Sequence, residues 1–220
     1  METRFSILLG GSLMPTDRLA QQTRGSRVIA ADSGILHAET LGLAVELWVG
    51  DFDSTPTAEI PRFAQVPREE WPADKDRTDG EIAADAAIAR GATSILFVGG
   101  LGGQTDHALG HFTLALRLAR QGMKVLISSG DEEAMPLIAG SHELDLPPAS
   151  RLSLIALTDL KSLSLKGVRW PLSAADIPLG STWTLSNIAE GLVQIQLEAG
   201  YGIAVAYPAS ANGSVTSAAQ

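Results

Sequence analysis

The chain has no cysteine among its 220 residues. That excludes a disulfide framework and thiolate chemistry. Basic residues are few: 16 Lys and Arg stand against 25 Asp and Glu, a net charge of −9. A nucleic-acid partner, which selects a basic face, is disfavoured. A cationic ligand is compatible with the balance. No apolar run approaches the roughly 20 residues of a membrane span. The first apolar run is short and lacks a basic flank, so no signal peptide is read and a cytoplasmic protein is expected. The apolar fraction is 45%, enough for a packed core rather than disorder. The length suits one large domain or two small ones.

Short apolar runs alternate with helix-like stretches in the first part. Residues 5–9, 27–31, 45–49, 94–98 and 124–127 read as buried strands. Residues 17–22, 35–41, 79–90 and 106–121 read as helices between them. This alternation predicts an α/β fold: a mainly parallel sheet with flanking helices. Thr78 and Glu81 have capping-box spacing ahead of Ile82. Leu109, Phe112, Leu116 and Ala119 form a three-four stripe, and Gly122 stands where that helix should stop.

The pattern changes after Gly130. Residues 131–150, with Pro136, Pro147 and Pro148, read as a connector. Residues 151–157, 162–166, 192–198 and 202–207 then read as strands without a helix, which predicts a small all-β sandwich domain. The expected layout is an α/β domain over 1–135, a β-sandwich over 140–208 and a frayed tail over 209–220. There is no internal repeat.

Chemistry concentrates in three loops. Asp51 and Asp53 follow the third strand, and ligands of α/β sheets bind beyond the carboxyl ends of strands. Two carboxylates on one turn suit a hard cation such as Mg²⁺; they also suit an ordinary polar turn. Asp74, Asp76 and Asp79 are interleaved with Lys75 and Arg77. Acids at a helix start follow from the macrodipole, but basic residues there do not. Acids for a metal and cations for phosphate oxygens account for both. Residues 99–103 hold four glycines after a strand, a backbone that can approach a phosphate or simply turn tightly. Asp106 opens the next helix. His107 and His111 lie one helical turn apart, but no third zinc ligand is evident, and packing explains them better.

In that order, Ala31-Asp32-Ser33-Gly34, Gly50-Asp51-Phe52-Asp53-Ser54, the stretch from Asp74 to Asp79, and Gly102-Gly103-Gln104-Thr105-Asp106-His107 resemble the thiamine pyrophosphokinase family. Leu165-Lys166-Gly167-Val168-Arg169-Trp170-Pro171-Leu172, Gly180-Ser181-Thr182 and Leu185-Ser186-Asn187 are similar to that family's C-terminal β-domain. The resemblance runs over nearly the whole chain. It implies pyrophosphoryl transfer from ATP to the hydroxyl of thiamine, giving thiamine diphosphate and AMP. It further implies Mg²⁺, a homodimer and sites near the dimer interface. It assigns Asp51, Asp53 and Asp79 to the metal, with Asp76 as a participant. Lys75 and Arg77 would lie near phosphates, and Gln104 and Asp106 would border nucleotide and substrate. Asp32, Ser33, Thr78, Gly102 and Gly103 complete the expected nucleotide loops. Trp170, Ser186 and Asn187 would hold thiamine. The family often has a second glycine where Ser33 stands and an arginine where Gln104 stands.

Two alternatives remain at this level. Asp51-Phe52-Asp53-Ser54-Thr55 matches the D-x-D-x-T signature of haloacid-dehalogenase-like phosphatases, whose first acid is a nucleophile. That motif normally follows the first strand, not the third. A non-catalytic thiamine- or nucleotide-binding regulator is the other, since fold does not fix function.

Overall fold

Short runs, all but one of them largely apolar, become the strands of the first unit, which spans Met1–Asp131. They are β1 (Arg4–Leu8), β2 (Arg27–Ala31), β3 (Leu47–Gly50), β4 (Arg68–Glu70), β5 (Ser94–Val98) and β6 (Lys124–Ser128). The structure is a computed structural model and describes residues 2–74 and 76–210. All neighbouring strands of this unit pair in parallel, in the order β6-β5-β1-β2-β3-β4. Ile7 lies between Ile29 and Phe97 in this register. The strand β4 is short and polar, Arg68-Glu69-Glu70, so no apolar run announced it.

The helices are α1 (Asp17–Thr23), α2 (His37–Leu41), α3 (Asp79–Ala89) and α4 (Thr105–Arg120). A 3₁₀ turn, Asp32–Leu36, precedes α2. Side chains alternate across a strand. Leu8, Ala30, Trp48 and Leu96 pack in one cluster with Leu19 of α1 and Ala38 of α2. Ile7, Ile29, Val49, Phe97 and Ile127 alternate with that set and are also buried. On their side α3 packs against β1, β2 and β3, and α4 against β6. Both faces are therefore covered, as a parallel sheet requires.

Thr78 caps α3: its Oγ1 accepts from the Glu81 N–H at 3.3 Å. Gly122 follows α4 with φ +88°. The expected stripe on α4 needs correcting. Leu114, Ala115 and Leu118 are its buried residues, whereas Leu109 is 55% exposed. Apolar residues spread over a wide arc of this helix, so spacing alone admitted two stripes, and packing on the sheet selected the other.

The second unit, Glu132–Gln220, contains β7 (Glu133–Leu137), β8 (Gly140–Asp145), β9 (Arg151–Ala156), β10 (Leu160–Val168), β11 (Leu172–Ile177), β12 (Asn187–Leu197) and β13 (Gly202–Tyr207). Among the described residues its strands pair antiparallel throughout. One sheet has β7, β13 and β9; the other has β11, β10, β12 and β8. The long strand β12 serves both, since its Asn187 and Ile188 pair with β9. Leu137, Leu152, Leu163, Leu165, Val193 and Ile195 share the core between the sheets. Residues 131–150 are thus not a connector, because β7 and β8 occupy most of them. Pro136 sits inside β7, opposite Ile203, where its missing N–H is tolerated. The tail expected to fray lies outside the described residues from position 211 onward.

Candidate functional site

The chain lays β1 to β4 outward, then returns to place β5 beside β1. The carboxyl ends of β1 and β5 therefore flank a topological switch point, where α/β sheets bind ligands. Loops after β1, β2, β3 and β5 meet at this edge. They meet closely because glycines remove the side chains. A Cβ on Gly34 would overlap the Leu8 carbonyl, and one on Gly11 would overlap the Gly99 carbonyl. The Gly11 N–H donates to that carbonyl at 3.1 Å.

Asp32, Asp51 and Asp79 converge here. One carboxylate oxygen from each lies within 4.8 Å of the others, close enough to share an ion. Asp32 is the first residue of the 3₁₀ turn, left-handed at φ 45°, a conformation Asp tolerates better than most residues. Its carboxylate is buried and accepts from the Ser54 hydroxyl at 2.6 Å and the Thr55 hydroxyl at 2.9 Å. The Trp48 indole N–H donates to its backbone carbonyl at 2.8 Å. Asp51 Oδ1 accepts from the Asp53 N–H at 3.3 Å, an Asx turn. Between them Phe52 is left-handed at φ 61°. It folds its ring edge-on to Trp48, with centroids 4.7 Å apart. Asp53 is exposed and is not in the three-acid group, which takes Asp32 instead.

Asp79 opens α3 behind its cap Thr78. Lys75 lies outside the described residues. Arg77 pairs with Asp85 at 3.0 Å and lies over the Trp71 ring at 5.2 Å. Asp76 is 97% exposed in its side chain.

Gly99, Gly102 and Gly103 all take positive φ. The Ser129 hydroxyl ties this loop down, accepting from the Leu101 N–H and donating to the Leu101 carbonyl, each at 3.1 Å. Gln104 precedes α4 without a side-chain cap, and Asp106 Oδ1 accepts from the His107 N–H at 2.9 Å. His107 and His111 lie with ring centroids 6.3 Å apart. His111 Nδ1 is 2.8 Å from the Gly100 carbonyl. Burial pushes the His111 imidazole below its ordinary range; the Gly100 carbonyl opposes this, and His107 adds to it.

An open groove of about 550 Å³ runs beside these helices, lined by Thr78, Glu81, Asp106, His107, His111 and Arg117 among others. Arg117 pairs with Glu81 at 2.9 Å. Neither residue was singled out for function from sequence. Glu81 was visible only as a cap partner, and Arg117 only as a charge on a helix.

In the second unit Asn187 is buried and holds the Trp170 backbone. Its Oδ1 accepts from the Trp170 N–H at 3.2 Å, and its Nδ2 donates to the Trp170 carbonyl at 2.8 Å. Trp170 itself is 56% exposed. Ser186 is left-handed at φ 59°, and its N–H donates to Ser153 Oγ at 3.0 Å.

Two family models match this chain. The catalytic domain of thiamin pyrophosphokinase matches residues 20–127, and its vitamin B1 binding domain matches residues 141–201. The thiamine pyrophosphokinase of Bacillus subtilis (strain 168) is 29% identical over 164 residues, 73% of each chain. A solved Bacillus subtilis thiamine pyrophosphokinase superposes with a TM-score of 0.83 at 24% identity, over 94% of this chain and all (100%) of that one. The Geobacillus thermodenitrificans enzyme does so with a TM-score of 0.79 at 25% identity, over 96% and 99%. The Candida albicans enzyme keeps the fold at 10% identity, with a TM-score of 0.75 over 93% and 90%.

Proposed function

The chain belongs to the thiamine pyrophosphokinase family, and from that premise we propose how its sheet edge is used. The activity is transfer of the pyrophosphoryl group of ATP to the thiamine hydroxyl, giving thiamine diphosphate and AMP. Neither the phosphatase nor the non-catalytic alternative finds support among its relatives.

The convergence of Asp32, Asp51 and Asp79 within 4.8 Å carries the reading of the site. Three hard carboxylates from three loops fit Mg²⁺, which prefers oxygen ligands and fills its remaining positions with phosphate and water. When bound, such an ion neutralises charge on the polyphosphate and orients it. The chain's own groups do the rest. Backbone N–H groups of residues 99–103 and the start of α4 face phosphate oxygens. Arg77, two residues before Asp79, adds cationic charge for them, and the family resemblance gives Lys75 the same role. The thiamine hydroxyl oxygen forms the new bond to the β-phosphorus and gives its proton to a carboxylate of the site, the bridge to the α-phosphorus breaks, and AMP departs. Little covalent work falls to the protein; positioning and charge neutralisation dominate.

Gln104 and Asp106 border nucleotide and acceptor in this reading. Asp106, which the Glu81–Arg117 pair leaves as the groove's unbalanced charge, suits thiamine's positive thiazolium. Trp170, whose backbone is held by Asn187, the residue after Ser186, presents an exposed ring suited to a cation, with Arg169 over it at 5.6 Å. Two copies pair through the second unit, where Trp183 and Leu179 are 64% and 62% exposed. The enzyme works in the cytoplasm. Among the described residues no helix is long and apolar enough to cross a membrane.

The test is product identity. Incubation with ATP, Mg²⁺ and thiamine is expected to yield AMP and thiamine diphosphate in equal amounts. ADP in place of AMP, or no product, would overturn the reading.

A further inference from the structure

Three segments meet at His111. Its Nδ1 is 2.8 Å from the carbonyl of Gly100, in the loop after β5. Its Nε2 lies 3.8 Å from where a Cβ on Gly80 would stand, one residue after Asp79. Its ring also lines the groove beside α3 and α4. A carbonyl only accepts hydrogen bonds, so Nδ1 carries the proton and the neutral ring leaves Nε2 as an acceptor.

We infer that His111 is a positioning residue for the nucleotide: as the neutral Nδ1–H tautomer it ties residues 99–103 to α4, with Nε2 lying near the start of α3. The inference rests on the pyrophosphokinase reading of the site. The loop it holds is stiffened mainly through its backbone, with Leu101 as its buried side chain. Gly99, Gly102 and Gly103 take positive φ and bring no side chains to pack. Gly11 anchors one end, Ser129 anchors Leu101, and His111 supplies the anchor between them. Gly100 is buried, so without His111 its carbonyl loses its partner away from water or the loop tilts to find another. Either outcome moves the backbone that faces the phosphates relative to Asp79. Burial keeps the ring neutral, since it lowers the imidazole below its ordinary range. The titratable and charged groups that line the same groove are Asp106 and His107 on its own helix, and Glu81 of α3 paired with Arg117.

Three variants separate positioning from mere packing. His111→Asn keeps an amide N–H where Nδ1 stands. His111→Gln carries its amide further out, near Nε2. His111→Ala removes both. We expect Ala and Gln to weaken binding of a non-hydrolysable ATP analogue about tenfold, the scale of one lost hydrogen bond. Asn should stay within about threefold of the wild type, and KM for thiamine should move less than about twofold in all three. An Asn variant as impaired as Ala, or equal losses for nucleotide and thiamine, would overturn the inference. The ¹⁵N shifts of His111 in the wild type read the tautomer without turnover. An Nε2–H ring or an imidazolium at neutral pH would also overturn it. Because the spectrum and the analogue titration need no product, failure to make thiamine diphosphate would count against the proposed reaction and leave the clamp standing.

Discussion

At the scale of single residues, Asp32 carries two duties on one carboxylate. It accepts from the Ser54 and Thr55 hydroxyls, which orient it, and it faces Asp51 and Asp79. Asp53 shares neither duty. Asp32→Asn is therefore expected to lower AMP formation at least about a hundredfold, the scale of losing charge stabilisation at a phosphoryl centre. Asp53→Asn should cost less than about threefold in the same assay, run across a Mg²⁺ titration. The reverse order would return the second metal acid to Asp53. The reason Asp32 was legible only as a nucleotide-loop residue is physical. An acid pair on one turn is visible locally, whereas Asp32 reaches Asp51 through the parallel pairing of Ala31 with Val49. Pairing between distant segments leaves no local spacing to read. The clamp of Asn187 on Trp170 was hidden for the same cause, since it closes across two strands.

At the scale of elements, α3 joins structure to site most directly. Its first residue is Asp79, and its cap is Thr78. Thr78→Ala is expected to cost about 1 kcal/mol of stability, measured by urea unfolding. Turnover should fall by more than that loss explains, because fraying of the first turn displaces Asp79. Equal activity in the variant would show that Asp79 is held by something other than the cap. This helix was readable because capping residues and an alanine-rich run coincide. The fold class was readable from the same kind of coincidence, since buried parallel strands are continuous apolar runs. The strands β7, β8 and β11 were not. Pro136 lies within β7, β8 is nearly all polar with only Leu144 deeply buried, and β11 contains Ser173, Ala174 and Ala175. Their strand character comes from pairing with β13, β12 and β10 rather than from their own composition.

At the scale of the whole molecule, each unit has its own buried cluster. Among the described residues the second unit leaves large apolar side chains uncovered: Trp170, Trp183, Leu179, and Leu185 two residues after Trp183 at 41% exposure. Apolar surface of this kind marks an interaction site. In sedimentation the chain should run at twice its 23.0 kDa mass. Trp183→Asp should shift it toward the monomer and lower activity while the circular dichroism spectrum stays unchanged. A wild-type monomer with full activity would sink the dimer.

The glycine contacts at the sheet edge also govern how this catalyst can diversify. Where Gly11 faces the Gly99 carbonyl and Gly34 faces the Leu8 carbonyl, there is room for hydrogen and nothing larger. Neutral drift is closed at those positions, so the phosphate end of the site is frozen by sterics before selection for chemistry acts. Gly110, on the wall of the groove, has open space around it. Side-chain variation is thereby admitted on α4 rather than at the sheet edge, and the same asymmetry tells an engineer where a library will be tolerated.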